Sequence, residues 1–76
     1  MKQIPQFLSP EMWLHQIFAS QEARRGGVVK RQIRDVERLV GRKAFCEAVA
    51  RHGFQAVVNG RHYVVFCNSD PIRRVR

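Results

Sequence analysis

Phe54-Gln55-Ala56-Val57-Val58-Asn59-Gly60-Arg61-His62-Tyr63-Val64-Val65-Phe66-Cys67 is the stretch whose reading decides the fold. β-Branched and aromatic residues flank Asn59-Gly60, a dipeptide that accepts the two positive φ angles of a type I′ turn, so the sequence predicts a β-hairpin. With Asn59 and Gly60 as the loop, the register sets Val58 against Arg61, Ala56 against Tyr63 and Phe54 against Val65 on one face. Gln55, Val57, His62, Val64 and Phe66 share the other face. Both faces are largely apolar, and a lone hairpin is not stable in water. One face is therefore expected to pack on the helices that precede it. The other is expected to meet the first helix or a second copy of the chain, which makes a homodimer one expected assembly.

Upstream, Ser9-Pro10-Glu11 has the chemistry of a helix start: a hydroxyl to cap free N–H groups, proline for the first turn and an acid for the dipole. Trp13, Leu14, Ile17, Phe18 and Gln21 follow at three- and four-residue spacing and predict an amphipathic helix ending before Gly26-Gly27. Val28 to Ile33 alternates from Val29 onward and reads as a short strand or an extended approach to the next helix. Asp35 is the expected N-cap of a helix carrying Val36, Leu39 and Val40, which Gly41 interrupts. Phe45, Ala48, Val49 and His52 restart the pattern out of phase, predicting two short helices or one bent helix that ends at Gly53. The expected fold class is α+β: an N-terminal helix, a bent helical pair and a C-terminal β-hairpin around one small core. Residues 1–8 read as a flexible arm, 9–67 as the single domain and 68–76 as a basic tail.

At 76 residues the chain is too short for a large enzyme scaffold such as a (β/α)₈ barrel, which needs about 200 residues. No apolar run approaches the roughly 20 residues of a bilayer span. Lys2 is followed by Gln3, Pro5 and Gln6, which does not read as a secretory leader. A cytoplasmic location without membrane association is the resulting expectation. Two cysteines, Cys46 and Cys67, are too few for a disulfide framework and read as small apolar residues.

Fourteen Lys and Arg against six Asp and Glu give a net charge of +8, so an acidic partner is expected. The excess is uneven: residues 24–43 carry +6 and residues 68–76 carry +2. The candidate nucleic-acid-binding residues are Arg24, Arg25, Lys30, Arg31, Arg34, Arg38, Arg42 and Lys43, then Arg61, and Arg73, Arg74 and Arg76 of the tail. Arg34, Arg38 and Arg42 recur every four residues, a spacing that lines one helical face with guanidinium groups able to hold phosphate bidentately. The plainer alternative is a solvated face that keeps a small domain soluble, with Asp35 and Glu37 pairing some arginines.

Residues 35–52 also admit a helix-turn-helix, with Gly41 in the turn and the hairpin as a wing tipped by Arg61. Arg42 and Glu47 depart from that pattern, which places apolar residues at their positions. Phe54, Tyr63 and Phe66, near Arg61, admit base stacking, although they divide between the two hairpin faces and part of the set is expected in the core. His15, His52, His62, Cys46 and Cys67 lack the spaced pairs of a metal site, so no metal or cofactor is expected.

Arg51-His52-Gly53-Phe54 through Asn59-Gly60-Arg61-His62 resembles the helix and first hairpin of HicA-type toxins, with Arg61 where that family carries a small residue. The resemblance implies a messenger-RNA-cleaving activity with His62 as general acid or base. Over most of the chain after residue 15, Ile17-Phe18-Ala19-Ser20, Arg24-Arg25-Gly26-Gly27-Val28-Val29, Asp35-Val36-Glu37, Val40-Gly41-Arg42, Gly53-Phe54 and Val64-Val65-Phe66-Cys67-Asn68 resemble a family of short alphaproteobacterial proteins. Members are often labelled phosphoribosylanthranilate isomerase, an activity of a full barrel. The resemblance implies a bacterial cytoplasmic setting and no established activity. The expected role is a non-enzymatic, regulatory nucleic-acid-binding protein making phosphate-backbone contacts. The alternatives are an adaptor docking on an acidic protein through the basic face and apolar hairpin, and a small ribonuclease using His62.

Overall fold

The computed structural model describes residues 9–76, so the expected arm over residues 1–8 lies outside the described residues. Ser9 opens α1 (Pro10–Phe18): its Oγ accepts from the Met12 N–H at 3.1 Å, with Pro10 in the first turn beside Glu11. The predicted helix does not run on to the glycines. Ser20 divides it, donating its hydroxyl to the Ile17 carbonyl at 2.8 Å and accepting from the Ala23 N–H at 3.3 Å. One side chain thus closes α1 and caps α2 (Gln21–Arg24).

Gly26-Gly27 then closes α2. Gly26 N–H donates to Ala23 O at 3.1 Å and Gly27 N–H to Glu22 O at 2.8 Å, the paired bonds of a Schellman motif. Gly26 sits at φ 74°, and a Cβ on Gly27 would lie 3.1 Å from the Glu22 carbonyl oxygen. The double glycine is therefore a backbone requirement of the chain reversal into β1 (Val28–Gln32).

β1 runs directly into α3 (Ile33–Leu39), so the helix starts ahead of the expected Asp35 cap. Asp35 sits instead in the first turn, where its carboxylate still meets the positive end of the helix. Val40-Gly41 separates α3 from α4 (Arg42–Arg51), giving two helices rather than one bent one, and Gly53, at φ 73° just past the C-cap His52, closes α4 as expected.

The hairpin forms from β2 (Gln55–Asn59) and β3 (His62–Phe66), with a register that differs from the expected one. Asn59 pairs with His62, Val58 with Tyr63, Val57 with Val64 and Ala56 with Val65. The loop is Gly60-Arg61, not Asn59-Gly60. Gly60 has φ 62° and, among the described residues, no non-glycine residue has positive φ, which is the φ signature of a type II′ turn. The register moves by two residues, so every side chain keeps its predicted face while changing its cross-strand partner.

β1 completes an antiparallel sheet of order β1-β3-β2, with Val29 opposite Val65 and Arg31 opposite Tyr63. One sheet face supplies Val29, Tyr63 and Val65 to a core with Leu14, Ile17 and Phe18 of α1, Val36 of α3, and Phe45, Ala48 and Val49 of α4. Val36, Phe45 and Val65 are fully buried. The α1 helix shares this core, so it does not cover the second face, which carries Val28, Val57, Val64 and Phe66 at partial or full exposure. Among the described residues no helix is long and apolar enough to cross a membrane.

Candidate functional site

The hairpin turn is tied to the start of α3, because the Ile33 N–H donates to the Arg61 carbonyl at 2.8 Å and continues the β1–β3 ladder into the loop. A groove of about 340 Å³ opens there, lined by Gln32, Ile33, Arg34, Glu37, Gly60 and Arg61. Two segments distant in sequence, 32–37 and 60–61, thus bring two guanidinium groups and one carboxylate together. Glu37 is fixed by the Tyr63 hydroxyl, which donates to its Oε2 at 3.2 Å. Burial raises the Tyr63 pKa above its ordinary value; the Glu37 hydrogen bond and charge add to the rise, and nearby Arg42 opposes it.

Arg34 and Arg38 lie on the exposed side of α3, opposite buried Val36, with side chains 85% and 72% exposed. Asp35 is their only acidic contact among the described residues, at 4.0 Å from Arg34 and 3.5 Å from Arg38. Ion pairs this exposed contribute about 0–1 kcal/mol, so both guanidinium groups remain available to a phosphate.

Arg42 and Lys43 begin α4, whose first turn contains no acidic residue and whose N-cap, Gly41, has no capping side chain. Two cations therefore stand where the helix dipole disfavours positive charge and where free N–H groups project. The exposed side of α4 continues through Cys46, Glu47, Ala50 and Arg51. Phe45, Ala48 and Val49 supply its packing, which is why Arg42 and Glu47 can depart from the helix-turn-helix pattern without opening the core.

The remaining cations do not join this group. Arg24 and Arg25 lie at the other end of β1, where Arg24 Nε donates to the Ala19 carbonyl at 3.1 Å. The tail leaves from the same far end: Asn68 Nδ2 donates to Gly26 O at 2.9 Å, and Gln55 Nε2 donates to Asn68 O at 3.1 Å and Asp70 O at 2.6 Å. Arg73, Arg74 and Arg76 are exposed beyond it. A five-residue strand at about 3.3 Å per residue holds the two ends roughly 16 Å apart. Lys30 is exposed on the open sheet face, and half-buried Arg31 donates Nη1 to the Lys30 carbonyl at 2.8 Å. The twelve candidate cations thus form a turn-end group and a far-end group with two residues between them, rather than one surface.

His62 is half-buried on the open face, opposite Asn59 and Gln32, and no described side chain hydrogen-bonds its ring. His52 packs its ring 4.6 Å from Phe18 and 5.4 Å from Phe54, with Nδ1 2.8 Å from the Ala48 carbonyl. His15 is exposed on α1; Cys67 is buried and Cys46 exposed, both as free thiols, so the apolar reading fits only Cys67. Of the three aromatic residues considered for stacking, Tyr63 is in the core, Phe54 packs against it, and Phe66 lies on the open face. The Tyr63–Glu37 pair spans 26 residues and had no local signal in the sequence. No family model, curated protein or solved structure matches the chain.

Proposed function

We propose that this protein binds nucleic acid through its turn end, with Arg34, Arg38, Arg42, Lys43 and Arg61 contacting backbone phosphates. The observation that carries the reading is the meeting of α3 and the hairpin turn at one end of the molecule, where Arg34 and Arg61 line a single groove and Arg42 of α4 lies near Tyr63 beneath it. The element order, with a strand before the helical pair, a hairpin after it and sheet order β1-β3-β2, is that of a winged helix-turn-helix. That likeness of connectivity supports a docking end in which α4 and the Arg61 turn approach the same duplex.

Phosphate contact is the chemistry these residues perform best. Each guanidinium is always charged and offers paired donors, and the Arg42 and Lys43 charges add to free helix N–H groups. Glu37, which accepts from the Tyr63 hydroxyl, lines the same groove but makes no ion pair with Arg34 or Arg61 among the described residues. The role is one of regulation rather than chemistry. It is tested by titrating labelled duplex and single-stranded oligonucleotides across a salt series. Five neutralised phosphates, one for each named cation, give a slope of log K against log salt of about −4.5 on duplex DNA. A salt-independent interaction, or no binding at low salt, overturns the reading and leaves an adaptor for an acidic protein as its replacement.

A further inference from the structure

The outer edge of β2 is unpaired by any described element, and the strand's own sequence offers it no protection. Gln55-Ala56-Val57-Val58-Asn59 contains no charge, no proline and no bulge, and Val57 and Val58 are 36% and 58% exposed on opposite faces. We propose that a second copy of this chain covers this edge, β2 pairing antiparallel with its own counterpart to make a six-stranded sheet.

The strand is suited to its own copy in one register. The two-residue turn makes Asn59–His62 a hydrogen-bonded pair, so Asn59, Val57 and Gln55 direct their backbone groups toward β3, while Ala56 and Val58 direct theirs outward. A two-fold axis at Val57 sets Ala56 against the partner copy's Val58 and Val58 against the partner copy's Ala56. The outward groups of both copies then meet in four backbone hydrogen bonds. Val57 meets its own copy at the axis as a close, non-hydrogen-bonded pair, and Gln55 faces Asn59 at either end. The ladder ends there because the Phe54 N–H is already donated to Val49 O at 3.0 Å. The same pairing buries Val58 against alanine and brings the two open apolar sheet faces into one. No charged side chain on the strand opposes it, even though the chain carries +8. This inference is independent of nucleic-acid binding.

Sedimentation equilibrium of the full chain at physiological ionic strength is expected to give twice the 8.9 kDa chain mass, and Val57→Lys, which sets like charges opposite each other at the axis, to give the single-chain mass with an unchanged circular dichroism spectrum. A second experiment fixes the register without depending on that variant. In a Cys46→Ser background, Val57→Cys is expected to form an intermolecular disulfide under mild oxidation, and Gln55→Cys is not. A wild-type chain that sediments as a single copy at every concentration overturns the proposal. So does a Val57→Lys variant that remains dimeric, or cross-linking of both cysteine variants to the same extent.

Discussion

Val64 and Val65 are neighbours on β3 with opposite fates, so truncating each in turn measures which face of the sheet carries the fold. Val65 is fully buried beneath the helices, whereas Val64 is half-exposed on the open face. Val65→Ala removes two methyl groups at about 0.8 kcal/mol each, with a further cost of about 0.5–1.3 kcal/mol for whatever cavity the core cannot close. The expected loss is about 2–3 kcal/mol. A 76-residue domain holds roughly 4–11 kcal/mol in all, so the variant sacrifices a large fraction of the total. Val64→Ala forfeits partial burial and some strand propensity, about 0.5–1 kcal/mol. Urea unfolding followed by circular dichroism and by Trp13 fluorescence reads both, since Trp13 is the only tryptophan and packs against the core. The midpoint of Val65→Ala should fall well below that of Val64→Ala, with slopes unchanged. Equal losses, or a larger loss for Val64→Ala, would refute the face assignment on which the fold rests.

Gly26→Ala forces a side chain into a left-handed backbone conformation and should cost about 1–2 kcal/mol by the same unfolding assay; a neutral result would contradict the Schellman closure of α2. Alkaline stability follows from Tyr63 and Cys67, both pushed above their ordinary values of 10.0 and 9.0 with burial as the leading cause. A raised folded pKa means the stabilisation is fully present below the unfolded value and is lost as pH rises through the folded one, so stability should hold below pH 9 and decline above it. Tyr63→Phe should remove the part of that decline that sets in above pH 10; an identical alkaline profile would show that Tyr63 does not contribute.

The hairpin was legible because alternation and a glycine turn are local signals, but its register was not. A single glycine serves equally as the second residue of a type I′ loop or the first of a type II′ loop. What selects the second is tertiary: with Gly60-Arg61 as the loop, the Arg61 carbonyl is free to take the Ile33 N–H and join the turn to α3. Ser20 shows the converse failure, since a serine ahead of Gln21-Glu22 carries a cap signal that the hydrophobic stripe from Trp13 to Gln21 overrides on paper. Asp35 is a good cap by type, yet β1 enters α3 before the chain reaches it. For the site, the basic excess of residues 24–43 was visible as a count, and its division was not, because the strand that separates Arg25 from Arg34 is an extended rod whose direction depends on pairing with β3.

Paired charge removals at the two ends of β1 distinguish the proposed docking end, at the hairpin turn, from the far end. Salt titrations of duplex binding should show Arg34→Gln with Arg61→Gln lowering the magnitude of the slope by about two, one for each phosphate that is no longer neutralised. Arg24→Gln with Arg25→Gln, the same charge change at the far end, should leave the slope within about half a unit of the parent. The reverse pattern, or equal effects from both pairs, would contradict the account.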